Sequence, residues 1–183
     1  MDDLKREKKK GFSLWYMKDV ILRRKLLKNT FHTPGFGFAA QLFAVMSRLI
    51  IEKQGPAEGE ALIREAVEFF GRERGKSIAR LVTGLSKPLT LKNWLIYSDI
   101  DGMNFEAKAS ISNHDLVVKV YRCTFIEAAE KWDLREYASY YCKYVDYAIL
   151  NGYNPDVKLE LLSRHDSGKD HCLLHYIMKE GNK

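Results

Sequence analysis

Cys142 and Asp146 stand four residues apart in the stretch YYCKYVDYAILNGYNP, from Tyr140 to Pro155. On a helix that spacing sets a thiol and a carboxylate on one edge, a turn apart. A thiolate can attack an electrophilic carbon, and a carboxylate can bind or protonate a nitrogen beside that carbon. The pair does not by itself make a reactive thiolate, because a neighbouring carboxylate raises a thiol's pKa by like-charge repulsion. The same spacing also describes a buried small thiol next to a carboxylate that is paired with a base. Helix geometry leaves those two readings level.

Two further cysteines are set differently. Cys123 ends a strand pattern and precedes TFIEAAEKW, so it meets a helix N-terminus, where amide dipoles stabilise a thiolate. Glu127, four residues on, is a first-turn acid that suits the same dipole. In DHCLLH a strand sends His171 and His175 to one face, and Cys172, Leu174, Tyr176 and Met178 to the other. If the second face is the core, Cys172 approaches the helices that carry Cys123 and Cys142. His171 is then a candidate proton relay for a cysteine nucleophile. No CxxC pair occurs and the thiols and imidazoles come singly, so neither a metal site nor a cofactor is expected. FFGRERGKSIA contains Gly75-Lys76-Ser77, but Gly71 stands one residue too close for a phosphate loop and the segment is helical. Gly71 and Gly75 are expected instead to let another backbone approach the helix closely.

The elements that must position these residues follow from periodicity. Residues 36–52 read as a buried helix, and Gly55-Pro56 breaks the chain before a long helix over about 57–85. Leu62, Ala66, Phe70, Ile78 and Leu81 mark the stripe expected to be buried. From Asn104 the period falls to two, with Phe105, Ala107, Ala109 and Ile111 alternating with polar residues. After SNHD, Leu116, Val118 and Val120 continue the pattern, which makes a β-hairpin. Helices at about 124–131 and 134–150 follow, stopped by Asn151-Gly152 and Pro155. A second hairpin, 157–164 and 171–178, closes the chain around HDSGKD. The expected fold is α+β, with helices on one face of an antiparallel sheet of about four strands.

The charge is unevenly placed. Of the net +6, residues 1–30 hold 10 Lys/Arg and 4 Asp/Glu, while residues 31–183 hold 20 of each. The chain therefore divides into a basic N-terminal arm, 1–30, and a single domain, 31–183. The neutral body has no general field for phosphates, which argues against nucleic acid. Residues 14–28 form a basic amphipathic helix on this reading, and contact of that helix with a membrane surface stays open. The apolar run at 36–51 is interrupted by Gln41, Ser47 and Arg48 and falls short of the ~20 residues that span a bilayer. Three widely spaced cysteines make no disulfide framework and suit a reducing cytoplasm. Oligomeric state is not legible.

The succession EGEALIREAVEFFGRERGKSIA, RCTFIEA, YYCKYVDYAILNGYNP and DHC resembles the family of L-2-amino-thiazoline-4-carboxylic acid hydrolases over most of the chain after about Gly55. The resemblance carries over to Cys123, Tyr141, Cys142, Asp146, Gly152, Asn154, Pro155 and Cys172. One departure is that Lys169 separates Gly168 from Asp170 ahead of Cys172. The resemblance implies hydrolytic opening of a small cyclic amidine or thiazoline ring. Cys142, Asp146, Cys123 and His171 are then the candidate catalytic residues, with Tyr141, Asn154, Glu127 and Cys172 around a small-molecule substrate. The alternative is a non-catalytic protein that binds a small ligand or partner on the same scaffold. Convergence of Asp146, Cys142 and Cys123 on an open pocket favours the enzyme, and their burial without an opening favours the binder.

Overall fold

The apolar run folds as helix α1, Gly35–Gln54, and Gly55 breaks it by taking a φ of +84°. Pro56 then starts helix α2, Pro56–Gly84, at the first-turn position where its missing N–H costs nothing. The computed structural model describes residues 33–111, 115–164 and 171–178, together with Leu22 and Leu26. Contacts divide the chain into two compact units, 1–33 and 34–183, and all the elements below belong to the second. The basic helix read at 14–28 lies outside the described residues apart from Leu22 and Leu26. The turns at SNHD and HDSGKD are likewise mostly outside them.

After α2 comes a short helix, α3, Leu91–Tyr97, capped by the Thr90 hydroxyl accepting from the Asn93 amide at 3.2 Å. Strands β1, Phe105–Ile111, and β2, Asp115–Cys123, form the first hairpin. Helices α4, Thr124–Glu130, and α5, Arg135–Tyr153, follow, then strands β3, Val157–Ser163, and β4, Cys172–Met178. All pairings are antiparallel and the order is β1-β2-β4-β3, so the two hairpins join through their second strands. The fold is the expected α+β arrangement. Helix α3 was not anticipated, because seven residues with one buried side chain carry too little periodic signal.

The hydrophobic side of the sheet, with Leu116, Leu159, Leu174 and Tyr176, packs with Leu91 and Leu150 from the helices. The opposite side carries His175, 3.4 Å from Asp115 and 3.7 Å from Glu160. The tightest contact in the body is between α2 and α5. A Cβ on Gly75 would lie 2.0 Å from the Ile149 carbonyl oxygen, and one on Gly71 would lie 2.6 Å from the Ala148 Cβ. Gly152 answers from α5, where a Cβ would meet the Arg72 carbonyl oxygen at 2.2 Å. The close approach expected of Gly71 and Gly75 is therefore present.

That contact corrects the buried stripe. Leu62, Phe70 and Leu81 are about half exposed, at 50%, 50% and 51%, and Ala66 is exposed too. The buried line runs through Gly59, Ile63, Val67, Gly71, Gly75, Ile78 and Val82. Two backbones in contact leave no room for large side chains, so the helix turns its glycines inward and its bulky residues away. Helix α1 shows the same inversion. Gly37, Ala40, Gln41, Ala44 and Ser47 face inward, while Phe38, Leu42, Met46 and Leu49 are exposed, so the helix is buried on one face only. Gln41, which interrupts the apolar run, donates from Nε2 to the Ala128 carbonyl at 3.0 Å and ties α1 to α4. By length and composition α1 could cross a membrane, yet its inward face packs against Phe125, Ile126 and Ala138.

Gly75→Ala is expected to lower stability by roughly 3 kcal/mol, because two backbones must separate to admit a methyl group. Gly84→Ala, where a Cβ meets nothing within 4 Å, is expected to change stability by no more than about 1 kcal/mol. Urea denaturation of the two variants checks the pair.

Candidate active site

Helix α5 and helix α3 lie over the apolar side of the sheet, and a cavity of about 470 Å³ remains between them. Cys123, Cys142, Cys172, Asp146, Tyr141 and Arg74 all line it. Each arrives by a different local rule. On α5, residues 141, 142, 145, 146 and 149 form one inward strip, which brings Tyr141, Cys142 and Asp146 to the cavity with Val145 and Ile149. On β4 the period of two turns Cys172, Leu174 and Tyr176 inward. Cys123 is the residue that caps α4, at the end of β2.

Asp146 is the most unusual group in the cavity. Among the described residues its carboxylate has no hydrogen-bond or ion-pair partner, and its surroundings are largely apolar. Burial pushes its pKa up to about 6, and the positive charge of Arg74 pulls it part of the way back. Cys123 feels two opposed influences. No cap hydrogen bond forms to its side chain, yet the Phe125 and Ile126 amides lie close enough to favour its thiolate. Burial outweighs them, and Cys172 and Asp146 add to it, so the thiol is raised above its ordinary value. The helix terminus expected to activate Cys123 is present, but it does not win.

Arg74 belongs to α2, yet its side chain is only 17% exposed. Its Nε and Nη2 donate to the two Asp99 carboxylate oxygens at 2.9 and 2.6 Å, and Nη1 donates to the Tyr141 hydroxyl at 3.1 Å. Asp99 thus holds the guanidinium in a bidentate grip and presents its remaining edge to Tyr141. Burial pushes the Tyr141 hydroxyl up to about 12, so it stays a neutral donor. The Tyr141 ring stacks on Phe125 at 4.5 Å, which fixes the hydroxyl's position. Arg164 also lines the cavity.

Three of the expected site residues lie elsewhere. Glu127 does not line the cavity; it stands one helical step past Ile126 and pairs with Arg122 at 2.5 and 2.9 Å. Asn154 is buried at the end of α5, where Nδ2 donates to the Leu89 carbonyl at 2.8 Å and Oδ1 accepts from the Asp156 amide at 3.0 Å. Its partner in this anchoring is Tyr153, whose hydroxyl donates to the Thr90 carbonyl at 2.9 Å. His171 is not among the cavity-lining residues, because the alternation that turns Cys172 inward turns its neighbour away. Its carbonyl accepts from Ser163 at 3.1 Å. Among the described residues, no three of His, Cys, Asp and Glu come together as a metal-binding group.

Sequence reading missed Arg74 and Asp99. A signal for Arg74 existed, since it directly precedes Gly75 and a glycine pair that brings two helices together also carries its neighbours to the contact. Asp99 sits in irregular chain after α3 and had no such signal. A larger groove of about 660 Å³ lies between α2, α5 and β3. Its Arg64 and Arg72 pair with Glu68, and its Lys143 pairs with Glu60, so it presents mutually neutralised charge and no unpaired carboxylate.

A family model described as L-2-amino-thiazoline-4-carboxylic acid hydrolase matches residues 36–176. No curated protein matches the chain closely enough to count as a relative. Among solved structures, the chain is similar to a trafficking protein particle complex subunit 3 from Naegleria fowleri, crystallised covalently bound to palmitic acid. That likeness has 15% identity and a TM-score of 0.48, and covers 80% of this chain and 98% of the other. A likeness at this level bears on neither the site nor the activity.

The raised Asp146 carboxyl makes a stability prediction. Its folded pKa of about 6 lies above the ordinary value of 3.8, so the folded state binds more protons between those limits. Its destabilising effect is therefore fully developed above about pH 6 and vanishes below about pH 4. Asp146→Asn is expected to stabilise the ligand-free protein by roughly 2–3 kcal/mol at pH 7.5. The gain should disappear as the pH falls to about 4. Denaturation of both proteins at pH 7.5, 5 and 4 checks it, and a gain independent of pH would rule out ionisation of Asp146 as its cause.

Proposed function

The chain belongs to the L-2-amino-thiazoline-4-carboxylic acid hydrolase family, and from that premise we propose that the cavity opens a small cyclic amidine of the thiazoline type by hydrolysis. The observation that carries this reading is Asp146, an unpartnered carboxylate in an apolar cavity that is also lined by three thiols. Such a carboxylate is a poor packing element, and it suits a cationic amidine for the same reason that carboxylates suit guanidinium groups.

The chemistry follows from the placement. Asp146 accepts hydrogen bonds from the protonated amidine and so holds the ring carbon between the two nitrogens electrophilic. Cys142, on the same strip of α5, loses its proton to solvent or to Asp146 and attacks that carbon. A sulfur–carbon bond forms, and the electron pair of the C=N bond moves to the ring nitrogen. The nitrogen pair then re-forms a C=N bond as the bond from the same carbon to the ring sulfur breaks, and the departing sulfur takes the electron pair of that C–S bond and a proton. Water adds to the carbon, gives a proton to the medium, and expels Cys142 as thiolate. One water is consumed and a carbamoyl group remains on the former ring nitrogen. The positive charges of Arg74 and Arg164 on the cavity wall suit a ring carboxylate, with the Tyr141 hydroxyl beside Arg74. Cys123, held protonated by burial, serves as a wall and not as the nucleophile. The reaction takes place in the reducing cytoplasm on this reading and uses no cofactor.

Purified protein incubated with 2-amino-thiazoline-4-carboxylate is expected to release a carbamoyl-cysteine product. Cys142→Ser is expected to reduce kcat at least a hundredfold, and Asp146→Asn by a similar factor. Cys123→Ser is expected to retain activity within about tenfold. Full activity in both cysteine variants would sink covalent catalysis by Cys142 or Cys123 and favour direct attack by water.

A further inference from the structure

The cavity is too apolar and too open along one side for a small ring acid alone. Cys123, Cys142, Cys172, Asp146, Tyr141 and Arg74 line it from α2, α5 and the strand ends. Burial raises the pKa of the Tyr176 hydroxyl, and Asp146 on α5 is near enough for its charge to raise it further. The floor is different. In the strand register Ala107 pairs with Val120 and Val120 with Cys172, so a hydrocarbon rung starts directly beside the Cys172 thiol. The next inward rung is Ala109, Val118 and Leu174. All five apolar residues line the cavity, and Trp94 and Leu95 of α3 line it as well.

The edge strand explains the opening. Its two middle inward positions are alanines where β2 carries valines, and both Ala107 and Ala109 are exposed although they line the cavity. Small residues at an edge leave a slot beside the larger ones. A contiguous apolar slot that reaches solvent marks a ligand surface more often than idle packing. A five-membered ring bound at Asp146 cannot fill a cavity of about 470 Å³, and the exposed Ala107 and Ala109 border the space it leaves.

We propose, resting on the hydrolase reading above, that the substrate class is a cyclic amidine acid whose exocyclic nitrogen bears an extended hydrocarbon chain. The ring and its charge sit at Asp146. The chain lies over the Ala107–Val120 and Ala109–Val118–Leu174 rungs. The position of attachment follows from the register: the apolar surface begins next to a thiol, so the chain must leave the ring next to the carbon that the thiols face. Charge complementarity sets the polarity of the ligand, with the cationic ring at the lone carboxylate and hydrocarbon elsewhere.

The test compares 2-amino-thiazoline-4-carboxylate with the same ring carrying an N-butyl or N-octyl chain. Both turnover and calorimetric binding are measured on the full chain, with octanoate as a ringless control. The specificity constant and the affinity are expected to rise about fourfold for each methylene that becomes buried, at least through butyl. In Ala109→Trp, which fills the slot from an exposed position, the octyl-to-unsubstituted ratio is expected to collapse towards one. Reading a ratio cancels any effect of the variant on the ring itself. Flat turnover and flat binding along the series overturn the proposal while leaving the hydrolase reading intact. No ring opened, but a chain-dependent gain in binding, supports the slot and overturns the hydrolase reading. Octanoate binding as tightly as the N-octyl ring overturns the requirement for a cationic head.

Discussion

The contact on which this structure depends is the meeting of two backbones at Gly71, Gly75 and Gly152. No side chain of any size fits between α2 and α5 at these positions, since the nearest atoms would lie 2.0–2.6 Å from an added Cβ. Close-packed helices gain dispersion contacts along their whole length, and the glycine cost in helix stability is offset by that gain. The consequences extend beyond the pair. With α2 held at backbone distance, Arg74 reaches across to Tyr141 from a position that would otherwise face solvent. With α5 held there, the strip adjoining the contact, including Cys142 and Asp146, is turned towards the cavity. The end of α5 is fixed too, by Tyr153 and Asn154 bonding to the carbonyls of Thr90 and Leu89. That anchor sets the start of α3, and α3 provides Trp94 and Leu95 to the cavity.

A rigid frame of this kind is what an unpaired carboxylate requires. A nearby base would relieve Asp146 if a side chain could swing in. Arg74 is the obvious base, but Asp99 holds two of its nitrogens and Tyr141 a third. The arrangement keeps a positive charge near enough to lower the Asp146 pKa partly, and too well bound elsewhere to neutralise it. Destabilisation of this sort persists where the surrounding packing overdetermines the geometry.

Much of this was legible in the sequence, for reasons that differ by residue. The strands showed themselves by alternation, and so did the placing of Cys172 on one face with Leu174 and Tyr176. The glycine pair in α2 was legible because mid-helix glycines are costly and need a packing reason. The stripe beside it was misread because apolar side chains, and not missing ones, were used to mark the contact. Leu62, Phe70 and Leu81 are apolar and half exposed, while Gly71 and Gly75 carry the contact. At the site, Cys142 and Asp146 were visible because both sit on one helix, where spacing fixes geometry. Cys123 and Cys172 needed the assumption that one sheet face met the helices, and the family resemblance strengthened it. Asn154 came with the family motif, Glu127 from the helix start after Cys123 and His171 from the strand at DHCLLH, and local geometry sends each away from the cavity. In GYNP the conspicuous residues serve anchoring: Gly152 admits the Arg72 backbone, and Tyr153 and Asn154 bind the segment before α3.

The three thiols illustrate how burial decides between competing influences. A helix N-terminus ordinarily activates a cysteine, and Cys123 occupies one, but the same packing that brings it to the cavity removes the water that would stabilise a thiolate. Proximity to Asp146 works in the same direction. Arg74 would offset the Asp146 charge if its guanidinium were free to turn towards it, but Asp99 and Tyr141 hold it. The balance at Cys123 is therefore set by packing: two backbone amides favour the thiolate, and the loss of water around the sulfur outweighs them.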